Sequence, residues 1–385
     1  MNSPTDTIRD VLRVRTGAGE PQPVLFWEEP GKLYVMPSST ATRWLHEALH
    51  EGGCFVIRPD GQTMSCSAEL LANSTDAQRV RTRFQEKYGS TVYDHYFGPR
   101  SKVVRLIPGG TVTPRTPAQL LEQEFDAVAA GYLEAVRSNS IELYVKEATR
   151  DRLLDAFRTD GRLLEIGAGT GFETVPLLAA GHPVVVVDLS PRMLEGLAAR
   201  AAVAGLEERL TCRPGRLSAL GEALQEFPDR SFDGAYSTFG AFNLEEDLGS
   251  APATFARVLR PQAHLVFTTL NRPGALPILW EVAIGNRTGA FRRVRHEMPA
   301  GTVRYPLTVY PRNPSWWDRA LAPHFRRVAT LPVSVAAPPF ESPRLVRWMG
   351  PSGGRRARRW DEWLSGRPLL TPLGEWSFLS YERVG

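Results

Sequence analysis

A glycine-rich turn after a buried strand constrains the fold of this chain more than any other feature. The apolar run that ends at Ile166 is followed by Gly167-Ala-Gly-Thr-Gly171, and the next apolar run ends at Asp188. Three glycines directly after a strand allow a tight turn and close approach of the backbone to a ligand. An acidic residue at the end of the next strand can accept hydrogen bonds from both hydroxyls of a ribose. The pattern predicts a nucleoside site.

The spacing of these glycines distinguishes between kinds of nucleoside. A dinucleotide site needs GxGxxG, and its third glycine would fall at position 172, where this chain has Phe172. Glu165 precedes the turn, and a carboxylate there suits a cationic amino-acid group better than a pyrophosphate, because like charges repel. The turn therefore favours a nucleoside with an amino-acid moiety over a dinucleotide.

Residues 120–385 resemble the Rossmann-like, S-adenosylmethionine-dependent methyltransferases. The resemblance includes the glycine turn, Asp188, the acidic turn in Phe227-Pro-Asp-Arg-Ser-Phe-Asp-Gly-Ala-Tyr236 and Leu259-Arg-Pro261. It implies S-adenosylmethionine as cofactor, with Asp188 on the ribose hydroxyls. The other cofactor-binding residues that it implies are Tyr132, Glu165, Gly167, Ala168, Gly169, Thr170 and Gly171 at the methionine and ribose end, Leu189, Met193, Arg216 and Leu217 around the adenine, and Ser237.

Two short segments depart from that family. Arg213-Pro-Gly-Arg-Leu217 stands where an acidic residue often binds the adenine amino group, so we expect backbone and apolar contacts there. Arg260-Pro-Gln-Ala263 replaces the usual Pro-Gly-Gly, which affects a turn more than the chemistry.

Strands and helices alternate after residue 116, which predicts a doubly wound α/β sheet. Near-continuous apolar strands are typical of parallel strands covered on both faces. We expect strands at 162–166, 183–187, 210–213, 232–236 and 264–269, and helices at 116–138, 143–157, 174–180, 191–204 and 251–259.

The first part of the chain has a different pattern of short β-rich runs with few helices, which predicts a small barrel. Expected strands are 11–14, 24–27, 33–36, 54–57, 63–68 and 103–107, with helices at 42–50 and 75–88. The segment 108–117 has three prolines and two glycines and is the predicted boundary. We therefore expect a split β-barrel in residues 1–110 and the methyltransferase domain in 111–385.

Residues 8–107 resemble, more weakly, the split-barrel flavin or deazaflavin-binding proteins related to pyridoxamine-phosphate oxidase. Val35-Met-Pro-Ser-Ser39 and Arg105-Leu-Ile-Pro108 carry this resemblance. The loop Thr16–Pro21 lacks a cation and contains Glu20, which makes it a poor phosphate site, so we expect a barrel without cofactor. Flavin stays an alternative, with Ser38, Ser39 and Arg43 as phosphate ligands. Such barrels often pair face to face in that family, which implies a homodimer.

The methyl acceptor should lie beyond the carboxyl ends of the fourth and fifth strands of the sheet. The substrate-binding candidates there are Phe239, Asn243 and Asn271. The segment 271–315 is longer than a simple connection and, by analogy with the family, covers the acceptor. It adds Trp280 and Tyr305 as substrate contacts and His296 and Tyr310 as catalytic candidates, and its aromatic and cationic content suits a planar or anionic small molecule.

Charge separates the alternatives for the acceptor. The net charge of +4 comprises +1 in residues 1–110, −7 in residues 111–270 and +10 in residues 271–385, which also hold seven of the nine tryptophans. Basicity favours an RNA methyltransferase, whereas the missing Asn/Asp-Pro-Pro-aromatic tetrad disfavours a nucleic-acid base. We prefer a small-molecule methyltransferase of specialised metabolism, and a flavin-type reductase fused to an inactive methyltransferase-like domain is the other alternative.

Cysteine usage and hydropathy indicate where the protein acts. Three distant cysteines form neither a disulfide framework nor a metal clip, and no apolar run approaches the length of a membrane span. We expect a cytoplasmic protein without a bound metal or a membrane partner.

Overall fold

A computed structural model of the chain describes residues 11–16, 20–36, 43–50, 52–71, 75–90, 92–93, 102–109, 116–272, 274–285, 290, 298–300, 307–340, 342–364 and 373–384. The chain divides into two compact units. The first contains Met1–Ala127 and the second contains Val128–Gly301 and Leu307–Gly385.

Six antiparallel strands form a closed barrel in the first unit, in the order β1-β2-β3-β6-β5-β4. The strands are β1 Leu12–Arg15, β2 Gln22–Glu29, β3 Lys32–Met36, β4 Gly53–Ile57, β5 Thr63–Leu71 and β6 Val103–Pro108. Helices α1 (Arg43–His50) and α2 (Thr75–Tyr88) lie between them in sequence. Leu12 and Val14 alternate with exposed or half-buried residues and pack with Val56 and Leu106 in one apolar cluster. The predicted barrel is therefore confirmed.

A seven-stranded sheet organises the second unit, in the order β14-β15-β11-β10-β7-β8-β9. Strands β9, β8, β7, β10 and β11 are parallel, whereas β15 and β14 are antiparallel to their neighbours. The bounds are β7 Leu163–Ile166, β8 Val184–Asp188, β9 Leu210–Pro214, β10 Phe232–Ser237, β11 Leu259–Leu270, β14 Phe325–Ser334 and β15 Trp376–Arg383; β12 Met298–Ala300 and β13 Leu307–Val309 pair separately.

The helices that follow the barrel in sequence confirm the predicted alternation with one correction. Instead of one helix over 116–138, α3 (Pro117–Val128) is separated from α4 (Tyr132–Ser138) by a 3₁₀ turn, Ala129–Gly131, because the chain tightens at Gly131. The remaining helices are α5 Ser140–Ala156, α6 Thr174–Ala179, α7 Pro191–Val203, α8 Leu220–Ala223, α9 Ala251–Val258, α10 Ala275–Ala283, α11 Pro314–Leu321, α12 Pro343–Met349 and α13 Gly353–Leu364.

The sheet is buried on both faces, which explains why its central strands are continuously apolar. In β8, Val184 and Val186 pack into one apolar cluster, whereas Val185 and Val187 pack into another. The parallel strands all end at the same edge, and this edge carries the glycine turn, Asp188 and Ser237. Among the described residues, no helix is both long and apolar enough to cross a membrane.

Candidate active site

The glycine turn between β7 and α6 can be built only from glycines. Gly167, Gly169 and Gly171 have φ of 73°, 53° and 80°, in the left-handed region that other residues rarely adopt. A Cβ on Gly167 would lie 2.5 Å from Cβ of Ala241, and one on Gly171 would lie 2.2 Å from Cδ1 of Leu197. The turn therefore brings its backbone close to the β10 and α7 segments, with no room for a side chain.

Asp188 fixes this turn to the end of the next strand. Its Oδ2 accepts a hydrogen bond from the Gly169 N–H at 3.0 Å, and its Oδ1 accepts one from the Ser190 N–H at 2.9 Å. Ser190 in turn accepts from the Met193 N–H and caps the N-terminus of α7. The carboxylate is thus oriented by backbone donors at the carboxyl end of β8.

Glu165 lies in the middle of β7 and is fully buried. Its Oε2 accepts hydrogen bonds from Thr174 Oγ1 at 2.6 Å and from the Tyr236 hydroxyl at 2.8 Å. Its Oε1 is buried without a hydrogen-bond partner. Burial raises the pKa of this carboxyl to about 8, against the opposing effect of the Thr174 and Tyr236 hydrogen bonds. A buried acceptor without a partner can accept a hydrogen bond from a donor on a bound ligand.

Lys146 of α5 brings a cation to the same edge. Its Nζ lies 3.9 Å from the ring centroid of Phe239, 5.6 Å from those of Tyr132 and Phe172, and 3.7 Å from Glu173 Oε1. Both Lys146 and Glu173 are buried. Burial alone would lower the pKa of Lys146, but Glu173 and Tyr132 hold that pKa above its ordinary value. The site therefore contains a charged ammonium among three aromatic rings.

Phe239 follows β10 in a strained conformation. Its φ is 52°, which is rare for an aromatic residue, and its N–H donates to Thr268 Oγ1 at 2.7 Å. The ring lies 5.7 Å from that of Trp376, which stacks on Phe340 at an interplanar angle of 8°. Backbone strain at this point aims an aromatic side chain at Lys146, beside the predicted acceptor position.

Four other candidates hold the strand ends together. Asn243 donates to the Tyr310 carbonyl at 2.8 Å and accepts from the Leu270 N–H at 2.9 Å. Asn271 donates to the Gly374 carbonyl and accepts from Ser377 Oγ. Ser237 donates to the Ile166 carbonyl at 2.8 Å, and Tyr310 is half-buried, with Arg312 above its ring. The amides of Asn243 and Asn271 are thus occupied within the protein, which indicates a structural role beside the site.

The residues predicted around adenine lie in the segments that follow strands β8 and β9. Arg216 makes a two-pronged ion pair with Glu245, with Nη2 to Oε2 at 2.5 Å and Nε to Oε1 at 3.2 Å. Leu217 and Met193 are buried, and Leu189 is half-buried. Glu245, from a distant part of the sequence, therefore neutralises Arg216 beside this segment.

The remaining candidates are Trp280, which packs in a separate aromatic cluster, and several positions outside the described residues. Trp280 packs on Trp348 and Trp360, and its indole N–H donates to the Ala336 carbonyl at 3.1 Å. Within the residues that the structure describes, its ring thus belongs to an aromatic cluster of the outer helices. The positions outside the described residues are His296, Tyr305, Ser38, Ser39 and the side chain of Arg43.

Sequence reasoning missed Lys146, Glu173 and Trp376. Lys146 could have been noticed, because it is one of only four lysines and lies among the apolar residues of a helix. Trp376 begins a strand that the analysis did not predict. The Lys146–Glu173 ion pair could not be predicted from the sequence, because only the folding of α5 beside the glycine turn brings the two residues together.

The described residues fit S-adenosylmethionine on three counts. The glycine turn gives backbone access, Asp188 presents a fixed carboxylate to ribose hydroxyls, and the orphaned Glu165 Oε1 can accept a hydrogen bond from a cationic amino group. Tyr132 Cε1 lies 3.4 Å from the position of a Cβ on Gly169, so its ring lies beside the turn, and its contact with the cofactor stays a prediction.

Comparisons with known proteins agree with this geometry. Residues 164–267 match the protein-family model described as a methyltransferase domain. A malonyl-[acyl-carrier protein] O-methyltransferase of Erwinia pyrifoliae is 32% identical over 148 residues, 38% of this chain and 52% of that protein. A demethylmenaquinone methyltransferase of Mycobacterium marinum is 32% identical over 152 residues, 39% of this chain and 58% of that protein. The chain thus spans about half the length of the curated relatives it matches.

Solved structures show weaker likenesses. The [4+2]-cyclase SpnF has a TM-score of 0.46 at 18% identity. The alignment covers 72% of this chain and 100% of the SpnF chain. An S-adenosylmethionine-dependent methyltransferase from Mesorhizobium loti has a TM-score of 0.38 at 22% identity, covering 58% of this chain and 91% of its own. We draw no functional conclusion from likenesses of this size. The family match and the sheet together confirm the class predicted from the glycine turn: the chain carries a Rossmann-like methyltransferase domain, preceded by a six-stranded barrel.

Proposed function

We propose that the protein is an S-adenosylmethionine-dependent methyltransferase that acts on a small molecule of specialised metabolism. We also propose that the protein is cytoplasmic, as its sequence predicts. The observation that carries the proposal is the fixed arrangement of Asp188, whose carboxylate is bound by the N–H groups of Gly169 and Ser190 directly beside the glycine turn. This arrangement suits a ribose lying on a turn that no side chain obstructs.

In this proposal each part of the cofactor has its own residues. Glu165 and Tyr132 serve the amino-acid end, and Asp188 serves the ribose. The adenine lies against Leu189, Met193 and Leu217, near the Arg216–Glu245 ion pair. Apolar contact then supplies most of the adenine binding, because Arg216 is already paired.

The acceptor is planar, anionic or both. Lys146 offers a buried cation, and Phe239 with Trp376 offers aromatic surface at the ends of β10 and β15. The names of the two relatives agree with this chemistry, since one protein O-methylates a malonyl group and the other acts on demethylmenaquinone. The first of these names supports an oxygen as the accepting atom here.

The contribution of the protein to catalysis is to position and desolvate the reactants. S-adenosylmethionine supplies an electrophilic methyl group when bound. Phe239 and Trp376 exclude water, and Lys146 holds an anionic acceptor by charge, so that the accepting atom is close and aligned. Lys146 also keeps such an acceptor deprotonated, because a nearby cation favours the charged form. A dedicated base such as His296 or Tyr310 is then needed only for a neutral acceptor.

Calorimetric titration with S-adenosylhomocysteine tests the proposal. We expect micromolar binding to the wild-type protein and none to Asp188→Ala, which loses the ribose acceptor and the tether of the turn. Gly169→Val should also abolish binding, because its φ of 53° and the Tyr132 ring leave no space for valine. Asp155→Ala, an exposed aspartate, is the matched control. Micromolar binding that survives both changes would refute the site.

For the first part of the chain we propose a cofactor-free barrel, residues 1–110, that pairs with a second copy. Its apolar cluster fills the space between the strands with side chains such as Leu12, Val35 and Leu106. A flavin-type reductase predicts a yellow protein with stoichiometric flavin. We expect a colourless protein with no spectral shift on adding flavin, and a bound flavin would overturn this part of the proposal.

A further inference from the structure

Two outer helices of the second unit, α12 and α13, expose tryptophans. Trp348 of α12 is 64% exposed, and Trp360 and Trp363 of α13 are 38% and 70% exposed. Trp280 of α10 packs against both Trp348 and Trp360, so the three helices present one continuous aromatic surface. Exposed tryptophans in such a group are unusual on a protein that contacts only water.

Arginines surround these rings. In α13, Gly353, Gly354, Ala357 and Asp361 are buried, which leaves the opposite side of the helix in solvent. The row Arg355, Arg359, Trp363 runs along the middle of that exposed side at a spacing of four residues, and Arg356 lies beside it towards the Trp360 edge. Arg344 of α12 is also exposed. We call the group of Trp348, Trp360, Trp363, Arg344, Arg356 and Arg359 the tryptophan–arginine surface.

Among the described residues, the acids near this surface are paired with other groups or point away from it. Within the described part of the chain, no carboxylate forms an ion pair with Arg344, Arg356 or Arg359. Asp361, the one acidic side chain of α13 that the structure describes, points inward. Its carboxylate accepts hydrogen bonds from the Tyr144 hydroxyl and from the Val335 and Ala336 N–H groups. The surface is therefore both aromatic and cationic.

We propose that the tryptophan–arginine surface docks the protein onto an anionic lipid surface. An indole ring combines an apolar body with a polar N–H. Tryptophan side chains are therefore enriched at the level of the lipid headgroups, where apolar and polar surroundings meet. Arginines beside them bind lipid phosphates. This peripheral contact goes beyond the proposed methyltransferase function and departs from the sequence-based expectation of no membrane partner.

Charge and ring packing together favour lipid over single-stranded RNA. A nucleic-acid platform needs separate ring faces on which successive bases stack. Here Trp360 stacks on Trp280 at a centroid distance of 6.2 Å, and Trp348 is tilted against Trp280 at 5.6 Å, so part of each of these two rings is covered by Trp280 instead of being open to a base. Their exposed edges suit insertion into a headgroup layer.

Vesicle sedimentation tests the proposal on the full chain. We expect the wild-type protein to sediment with vesicles of phosphatidylcholine and phosphatidylglycerol, with a blue shift of tryptophan emission, and not with phosphatidylcholine alone. Each arginine near an anionic surface strengthens partitioning about five-fold, so Arg356→Glu with Arg359→Glu should weaken it at least about 25-fold. Trp348→Ala with Trp363→Ala should remove the blue shift.

The control variant, Arg158→Glu with Arg326→Glu, makes the same charge change at exposed positions elsewhere and should bind like wild type. Wild-type protein that stays in solution with both kinds of vesicle would overturn the proposal, whatever the variants do. Equal losses in the control variant would also overturn it, since general charge would then explain binding. Binding of poly(U) that the Arg356 and Arg359 changes abolish, without vesicle binding, would assign the surface to nucleic acid instead.

Discussion

Glu165 combines structural hydrogen bonds with a buried oxygen that has no partner among the described residues. Its Oε2 connects β7 to Thr174 and Tyr236, and its Oε1 is buried without a partner. A buried carboxyl group without a cation is most stable when protonated. The arrival of a cationic amino group reverses this preference, so cofactor binding should be linked to proton release.

This linkage predicts a pH dependence of binding. Because burial raises the pKa of Glu165 to about 8, the apo site is mostly protonated at neutral pH and ionises above pH 8. S-adenosylhomocysteine, which carries the amino group, should therefore bind roughly tenfold more tightly at pH 8.5 than at pH 7 and no more tightly above. Calorimetry at several pH values measures this, and Glu165→Gln should make the affinity independent of pH over this interval. An unchanged slope in the variant would contradict the assignment.

The Lys146–Glu173 ion pair predicts a stability difference. Lys146→Met alone leaves a buried carboxylate without its cation and should lower the free energy of unfolding by about 3–5 kcal/mol. The double variant Lys146→Met with Glu173→Gln removes both charges and should recover most of that loss.

Urea unfolding of the wild type, the two single variants Lys146→Met and Glu173→Gln, and the double variant measures the coupling between the two residues. The double variant should still lose affinity for an anionic acceptor, because the cation is absent. If the single and double variants are equally unstable, the two charges do not stabilise one another as the 3.7 Å distance indicates.

At the scale of elements, the turn before the central part of β11 carries avoidable strain. Gln262 is exposed at φ of 65°, where the family usually has glycine. Gln262→Gly should raise the free energy of unfolding by about 0.5–1 kcal/mol, because relief of left-handed strain exceeds the entropy that glycine adds to the unfolded chain. Ala263→Gly, one residue on, should be destabilising. Thermal unfolding compares both, and a loss of stability in Gln262→Gly would contradict the strain.

Elements with strong local patterns could be predicted from sequence. The runs that became β7 and β8 are apolar except for Glu165 and the terminal Asp188, and the capping Ser190 and Pro191 mark the start of α7. The two antiparallel strands β14 and β15 were not predicted, because their polar residues and the pairing of distant segments hide them. Helix α3 was extended too far, since its apolar spacing continues across the turn at Ala129–Gly131.

For the whole molecule, the cofactor side of the site could be predicted from local sequence, whereas the proposed acceptor side depends on the pairing of distant segments. The cofactor side depends on glycines, Glu165 and Asp188 within one β-α-β unit, so a short stretch of sequence defines it. The acceptor side brings together Lys146, Phe239 and Trp376, which lie on three different elements. Only tertiary packing places them together, and the sequence could indicate Phe239 alone.

A crystal structure of the protein with S-adenosylhomocysteine tests the central claim most directly. The account predicts the ribose hydroxyls on Asp188, the amino group within hydrogen-bond distance of Glu165 Oε1, and the sulfur facing the side where Phe239 and Lys146 meet. Electron density for the ligand elsewhere, or a ribose that makes no contact with Asp188, would contradict it.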